Sequence, residues 1–352
     1  MSGATGLQRW PREPVPPSVD YPHVLRTGTA GLAQGVLGVA LGLLSFVVAA
    51  PLVMQLLAAA YWLALGRPDT FEATYRLLVA YEVPFGLVVS HLGLAVLLPI
   101  AVLLVVLIHR GHPRFLSSVV GRLRPGWFAL CFGIAVVTLL AVLVAQNLTA
   151  PGGPSWELAP QPRWWLFLLV MLLTTPLQAA AEEYFFRGYL MQALGSLVAA
   201  PWFGIVTSAA VFTMFHSSTN AALVLDRFAF GLLAGWLVWR TGGLEAAIAA
   251  HVVNNVTSFT LGALASSMAQ VRAVTEVTWV GAGWDVARFG LFTLVVWLVA
   301  RRVRPARLTA AAPARAARRQ GKGRGEGQIK GQGKGQGKGN AGGKGPAGGR
   351  PV

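Results

Sequence analysis

Glu182, Glu183 and Arg187 stand together in AAAEEYFFRGYL, a stretch that is otherwise apolar. An ionisable side chain inside a membrane span costs about 2.5–3.5 kcal/mol on insertion scales, so such a group is a site hypothesis by default. On a helix, Glu183 and Arg187 fall at i and i+4 and can pair on one face. Glu182 points about 100° away, without a local partner. Two readings follow. Both acids belong to a structural ion-pair network, or Arg187 holds Glu183 while Glu182 is left free as a general base.

Two further segments carry polar groups of the right kind. His216 ends VFTMFH, with Phe212 one turn before it; alone, a histidine at a helix end reads as a satisfied structural residue. His251 and Asn255 lie at i and i+4 in HVVNN, on one face with Ser258, and Asn254 sits on the adjacent edge. That pair suits an interhelical hydrogen-bond clamp, and equally a bound metal or water. Together, a carboxylate, two histidines and an amide are the parts for water activation. The imidazoles bind a cation or polarise water, the Glu takes the proton, and the Asn stabilises an oxyanion. The metalloprotease motif HExxH is absent, so these groups must converge from separate helices.

The elements that must position them are apolar. Of 352 residues, 55% are hydrophobic and 12% charged, yet the net charge is +16. From Arg301 onward there are 14 Lys+Arg and one acid, Glu326, a net of +13; the rest holds 29 − 14 = 15 basics and 13 − 1 = 12 acids, a net of +3. A soluble domain is about a quarter charged. A nearly neutral apolar body with a cationic appendix is therefore expected to be embedded in a membrane, and a basic soluble nucleic-acid-binding domain is excluded.

Eight stretches approach the roughly 20 apolar residues that a crossing helix needs: 31–65, 85–108, 127–148, 164–194, 202–215, 221–239, 244–268 and 286–300. The fifth and eighth are short, the first contains Pro51 and the fourth Pro176. The expected fold is all-α, a polytopic membrane bundle of about eight transmembrane helices. Its parts are a polar segment over 1–28, N-terminal membrane helices over 29–162, a catalytic helical core over 163–303 and a disordered Gly/Lys-rich tail over 304–352. Met1–Thr29 lacks the features of a cleaved leader, so the first helix is read as the insertion signal.

Eight crossings put both termini on one side. The second loop (Arg110, Arg114, Arg122, Arg124), Arg240 and the tail are basic, whereas the opposite loops mix signs. By the positive-inside rule the termini are cytoplasmic, and the location is the plasma membrane. The partners expected are membrane lipids and a peptide or protein substrate, with no specific nucleic acid. The tail either stays solvated or contacts anionic headgroups. Gly31, Gly35, Gly38 and Gly42, with Gly231 and Gly235, permit close helix packing. Cys131 reads as packing, Asp226 and Arg227 as a mutual pair, His91 as a span residue without a motif partner, and Glu245 as a helix-opening acid.

The three motifs, Glu182-Glu183-Tyr-Phe-Phe-Arg187, Phe212-Thr-Met-Phe-His216 and His251-Val-Val-Asn-Asn255, resemble the CPBP family of intramembrane proteases. That family comprises CAAX-prenyl-protein endoproteases and bacteriocin-processing or immunity relatives, with EExxxR, FxxxH and HxxxN in this order. The resemblance covers about 166–259. It implies a membrane endopeptidase in which Glu182 activates water and Glu183 with Arg187 supports the site. His216 and His251 position the water or hold a divalent metal such as zinc, and Asn255 completes an oxyanion site. The alternative is a non-catalytic immunity or scaffold protein that binds through the same cluster. A proton pathway is disfavoured, because no inverted repeat is visible.

Overall fold

The computed structural model of the chain describes residues 12–28, 31–149 and 157–311. After a single 3₁₀ turn at Tyr21–His23, the chain enters α1 (Leu32–Ala64), of 33 residues. At 1.5 Å per residue this is about 50 Å, well beyond the roughly 30 Å hydrocarbon core. A short amphipathic helix, α2 (Phe71–Val79), begins at Thr70, whose hydroxyl accepts from the Ala73 N–H at 3.2 Å. Two collinear pieces, α3 (Phe85–Ala95) and α4 (Leu97–Leu107), make one crossing. After a basic loop comes α5 (Pro125–Leu148), with Pro125 in the first turn where no backbone donor is lost.

The motif-bearing half begins with α6 (Trp164–Glu183), which passes directly into a π-helical stretch, Tyr184–Leu190, and then α7 (Met191–Leu197). Next are α8 (Pro201–Met214), α9 (Ala221–Thr241), α10 (Glu245–Ala265), a one-turn α11 (Met268–Arg272) and α12 (Trp279–Val303). Asn220 and Thr278 cap α9 and α12 by accepting from Leu223 N–H (2.8 Å) and Gly281 N–H (3.0 Å). Gly242, at φ +72°, ends α9 in the left-handed conformation that favours glycine. The described residues contain no strand, only two isolated bridges, Asp20 with Leu308 and Ser118 with Gly243.

Among the described residues, seven helical segments are long and apolar enough to cross a membrane, and α8, at 14 residues, is short. It spans about 21 Å. Bridges at one end of the bundle decide how it counts. Val19 and Thr309 exchange hydrogen bonds, with Thr309 N–H donating to Val19 O at 2.9 Å and Val19 N–H to Thr309 Oγ1 at 3.1 Å. The segments before α1 and after α12 therefore share one face, which requires an even number of traverses. The eighth is α8. It starts on that face with Trp202 packed on Trp239 (ring centroids 5.7 Å). Residues 216–219 then line a cavity, where non-helical backbone is tolerated within a membrane.

The expected parts blur at their borders. The N-terminal helices and the motif-bearing helices share one core, in which Leu97, Trp127 and Cys131 join Phe185, Phe212 and Phe230. The segment before α1 is no loose appendage, since Tyr21, Val24 and Leu25 are buried. The ordered chain also runs past 304, because Leu308 and Thr309 are tied to the N-terminal segment. The tail beyond Ala311 lies outside the described residues. Glycine lets helices approach closely: a methyl at Gly42 of α1 would meet the Tyr189 ring at 3.2 Å, and one at Gly231 of α9 would meet Ala209 of α8 at 3.0 Å. Outward-facing side chains such as Val137 (69% exposed) and Leu173 (71%) form an apolar exterior. The molecule is an integral membrane helical bundle.

Candidate active site

The last turn of α6 and the π-helical stretch bring the first motif to the bundle centre. A π stretch shifts the helix phase and often marks a functional site. Here it buries Phe185, Phe186, Arg187 and Tyr189 almost completely. The Arg187 Nη1–H donates to Glu183 Oε1 at 2.9 Å, both side chains being fully buried. The i, i+4 pairing expected from sequence is therefore present. Arg187 also lies 4.2 Å above the Phe212 ring and 5.1 Å from that of Phe230. Its Nε and Nη2 have no hydrogen-bond partner, so aromatic faces provide part of its electrostatic environment.

The same Glu183 oxygen accepts from His251 Nδ1 at 2.7 Å. With Nδ1 carrying the proton, the lone pair of His251 is on Nε2, 3.8 Å from Glu182 Oε2. Glu183 thus fixes both Arg187 and the tautomer of His251, a carboxylate–histidine relay of the kind that orients functional imidazoles.

Glu182 is buried, and it has a local partner that the sequence reading lacked. Gln178, one turn earlier on α6, donates from Nε2 to Glu182 Oε1 at 2.6 Å. The Gln178 carbonyl accepts from Asn255 Nδ2 at 3.2 Å, and Asn254 Nδ2 donates to Asn255 Oδ1 at 3.1 Å. An amide chain therefore links α10 to the carboxylate. The signal was available: an amide four residues before an acid on an apolar helix has few other partners to find. Asn255, expected at an oxyanion site, spends one donor hydrogen on Gln178 and keeps the second.

His216 sits where α8 ends. Its Nδ1–H donates to the Phe212 carbonyl at 2.8 Å, which leaves Nε2 as the lone-pair nitrogen. The Phe212 ring lies 4.4 Å from the imidazole and under Arg187. The four-residue FxxxH spacing thus joins the second motif to the first. His216, Glu182 and Gln178 line a cavity of about 590 Å³ that also reaches Tyr81, Arg227 and Arg272.

A catalytic zinc needs three protein ligands and an open position. Among the described residues no three His, Cys, Asp or Glu side chains gather as a ligand set. His216 and His251 each commit Nδ1 to a carbonyl or carboxylate, leaving one nitrogen apiece. Nε2 is thus the nitrogen that His216 and His251 can each turn to an ion or a water. No step below runs through a metal.

The other polar residues have structural partners. Glu245 does more than open a helix: fully buried, it accepts from Arg124 Nε at 2.8 Å and Nη2 at 2.7 Å. His91 Nδ1 meets Thr174 Oγ1 at 2.7 Å, and Asp226 pairs with Arg227 at 3.3 Å.

The architecture is a polytopic helical bundle with a buried Glu–His–Arg centre. Residues 162–257 match the family described as type II CAAX prenyl endopeptidase, Rce1-like. That segment contains Gln178, Glu182, Glu183, Arg187, His216, His251, Asn254 and Asn255. The uncharacterized protein YyaK of Bacillus subtilis (strain 168) is 28% identical over 150 residues, 40% of this chain and 50% of that protein. The chain thus spans about half the length of the curated relative it matches. No solved structure matches it significantly.

Proposed function

We propose that the chain is an intramembrane endopeptidase, a hydrolase that cleaves a peptide bond at its bundle cavity, with CAAX-type processing as the substrate class suggested by the Rce1-like segment. The observation that carries this reading is the position of Glu182: Oε1 is held by Gln178, while Oε2 is 3.8 Å from Nε2 of His251. Its residue lines the same cavity as His216.

The proposed chemistry uses these groups alone. Glu182 takes a proton from a water that hydrogen-bonds to His216 or His251 through Nε2. The water oxygen bonds to the scissile carbonyl carbon, and the carbonyl oxygen becomes an oxyanion, to which the second Asn255 N–H donates. Collapse of this species breaks the C–N bond, and Glu182 returns the proton to the departing amine. Glu183 and Arg187 touch no reacting atom; they hold His251. General base catalysis supplies about 10²–10⁴-fold.

The topology belongs to the same proposal. The end of the bundle that gathers Arg114, Arg122, Arg124 and Arg240 faces the cytoplasm.

The test is cleavage of a membrane-anchored peptide library by full-length protein in detergent, read by mass spectrometry. Wild type is expected to cleave. Glu182→Gln and His216→Ala are expected to fall at least about 100-fold with unchanged unfolding midpoints. A Glu182→Gln protein that cleaves at the wild-type rate refutes the mechanism.

A further inference from the structure

Outside the site cavity, and sharing none of its lining residues, two helices carry the pattern Trp-Leu-Val-x-Arg. Trp236-Leu-Val-Trp-Arg240 closes α9, and Trp297-Leu-Val-Ala-Arg301 closes α12. Both helices end on the face that carries the termini, so the two steps run side by side. Trp236 and Trp297 lie 6.3 Å apart between ring centroids. Below them opens a cavity of about 450 Å³ walled by Trp202, Leu233, Trp236, Gly290, Leu294 and Trp297. Leu294 and Trp202 are exposed on the outer surface, so the groove opens towards the hydrocarbon. A side chain added at Gly290 would meet nothing within 4 Å; the glycine leaves the groove its width.

Two arginines lie against tryptophans that wall the groove. Arg240 lies 5.4 Å from the Trp239 ring and 5.9 Å from that of Trp236, and Arg301 lies 5.1 Å from the Trp297 ring. Arg307 is near enough to act on the Arg240 charge, and Arg240 Nε is buried without a hydrogen-bond partner. Among the described residues, no ion pair involves Arg240, Arg301 or Arg307. Unpaired arginines above an apolar slot, at the depth where a span ends, complement one phosphate with two acyl chains. A second copy of this chain fits poorly, because a two-fold contact through this groove would bring its arginines against their own images.

We infer that the groove between α9 and α12 is a binding site for an anionic phospholipid, its phosphate held by Arg240 and Arg301 and an acyl chain lying along Trp236, Trp297 and Gly290. This site is separate from the proposed peptidase centre and stands whether or not that reading holds.

The test uses full-length protein in neutral-detergent micelles containing equimolar phosphatidylglycerol and phosphatidylcholine, with bound lipid read by native mass spectrometry. Wild type is expected to retain phosphatidylglycerol selectively. The R240Q/R301Q double variant is expected to lose roughly 25-fold in that selectivity, from two charges at about 1 kcal/mol each and tenfold per about 1.4 kcal/mol. Arg301→Gln alone, at an exposed position, provides a smaller loss with no risk to folding. Gly290→Leu should reduce bound lipid of both kinds by filling the groove. A variant with Lys322, Lys330, Lys334, Lys338 and Lys344 all changed to Gln should keep wild-type selectivity. Selectivity that disappears with the tail lysines and survives R240Q/R301Q assigns the lipid to the tail and overturns the inference. So does wild type without phosphatidylglycerol preference, or farnesol displacing the lipid with equal ease from wild type and R240Q/R301Q, which marks a slot for apolar chains without headgroup recognition.

Discussion

Replacing Gln178 by leucine removes a near-isosteric amide and leaves the helix intact, so its effect isolates two hydrogen bonds. One, from Nε2 to Glu182 Oε1 at 2.6 Å, is charge-assisted when Glu182 is ionised and is worth about 1.5–3 kcal/mol; the other, from Asn255 at 3.2 Å, is worth about 1 kcal/mol. Glu182 is 6% exposed, so little water reaches the oxygen left bare. The variant should lose about 2–4 kcal/mol of stability. At roughly 2 °C per kcal/mol for a large chain, the midpoint in detergent should fall by about 4–8 °C. The functional effect separates a positioning role from a structural one. With Oε1 released, the carboxylate rotates away from His251, and kcat should fall about 10–100-fold with KM nearly unchanged. Gln178→Glu places a second carboxylate at hydrogen-bond distance and should be worse than leucine in stability. If Gln178→Leu destabilises as calculated but cleaves at the wild-type rate, the base is not held by Gln178 and the proposed mechanism fails.

Arg187→Met should destabilise by about 3–5 kcal/mol, because it strips the cation from a fully buried carboxylate. Thermal unfolding checks this, and adding Glu183→Gln should recover part of the loss. Exhaustive treatment with 1,10-phenanthroline should leave peptide cleavage unchanged, since the proposed water activation uses Glu182 and the two imidazoles alone; loss of activity restored by zinc would contradict it. At the terminal face, burial opposes ionisation of Asp20, but hydrogen bonds from His23 and Trp239 outweigh it and hold its carboxyl below the ordinary value. A group with a lowered folded value stabilises the fold above its unfolded value of about 3.9 and loses that contribution as pH falls. Asp20→Asn should therefore flatten the acid limb of the stability profile.

Much of the site was legible in the sequence because burial of charge is so improbable in an apolar chain. Glu182, Glu183, Arg187, His216, His251 and Asn255 stood out against their surroundings, and the Glu183–Arg187 pairing followed from helical spacing alone. The membrane-spanning segments were readable for the same reason: some 20 apolar residues in succession leave few other options. Helix α8 showed its shortness in the sequence, but only the pairing of Val19 with Thr309 made it a traverse.

What the sequence could not give was partner choice between helices, because side chains far apart in the chain meet only through tertiary packing. His251 could have faced either acid; its Nδ1 takes Glu183 and only Nε2 looks towards Glu182. Gln178 was one more polar residue until Asn255 and Glu182 appeared on either side of it. Glu245 seemed a dipole-compensating acid until Arg124, from a distant loop, closed on both its oxygens. The chain by itself determined which groups are too costly to bury idly. The tertiary structure decided which of them neutralise one another and which carboxylate remains at the cavity, since hydrogen bonds and desolvation depend on distances in space that spacing along one helix does not set.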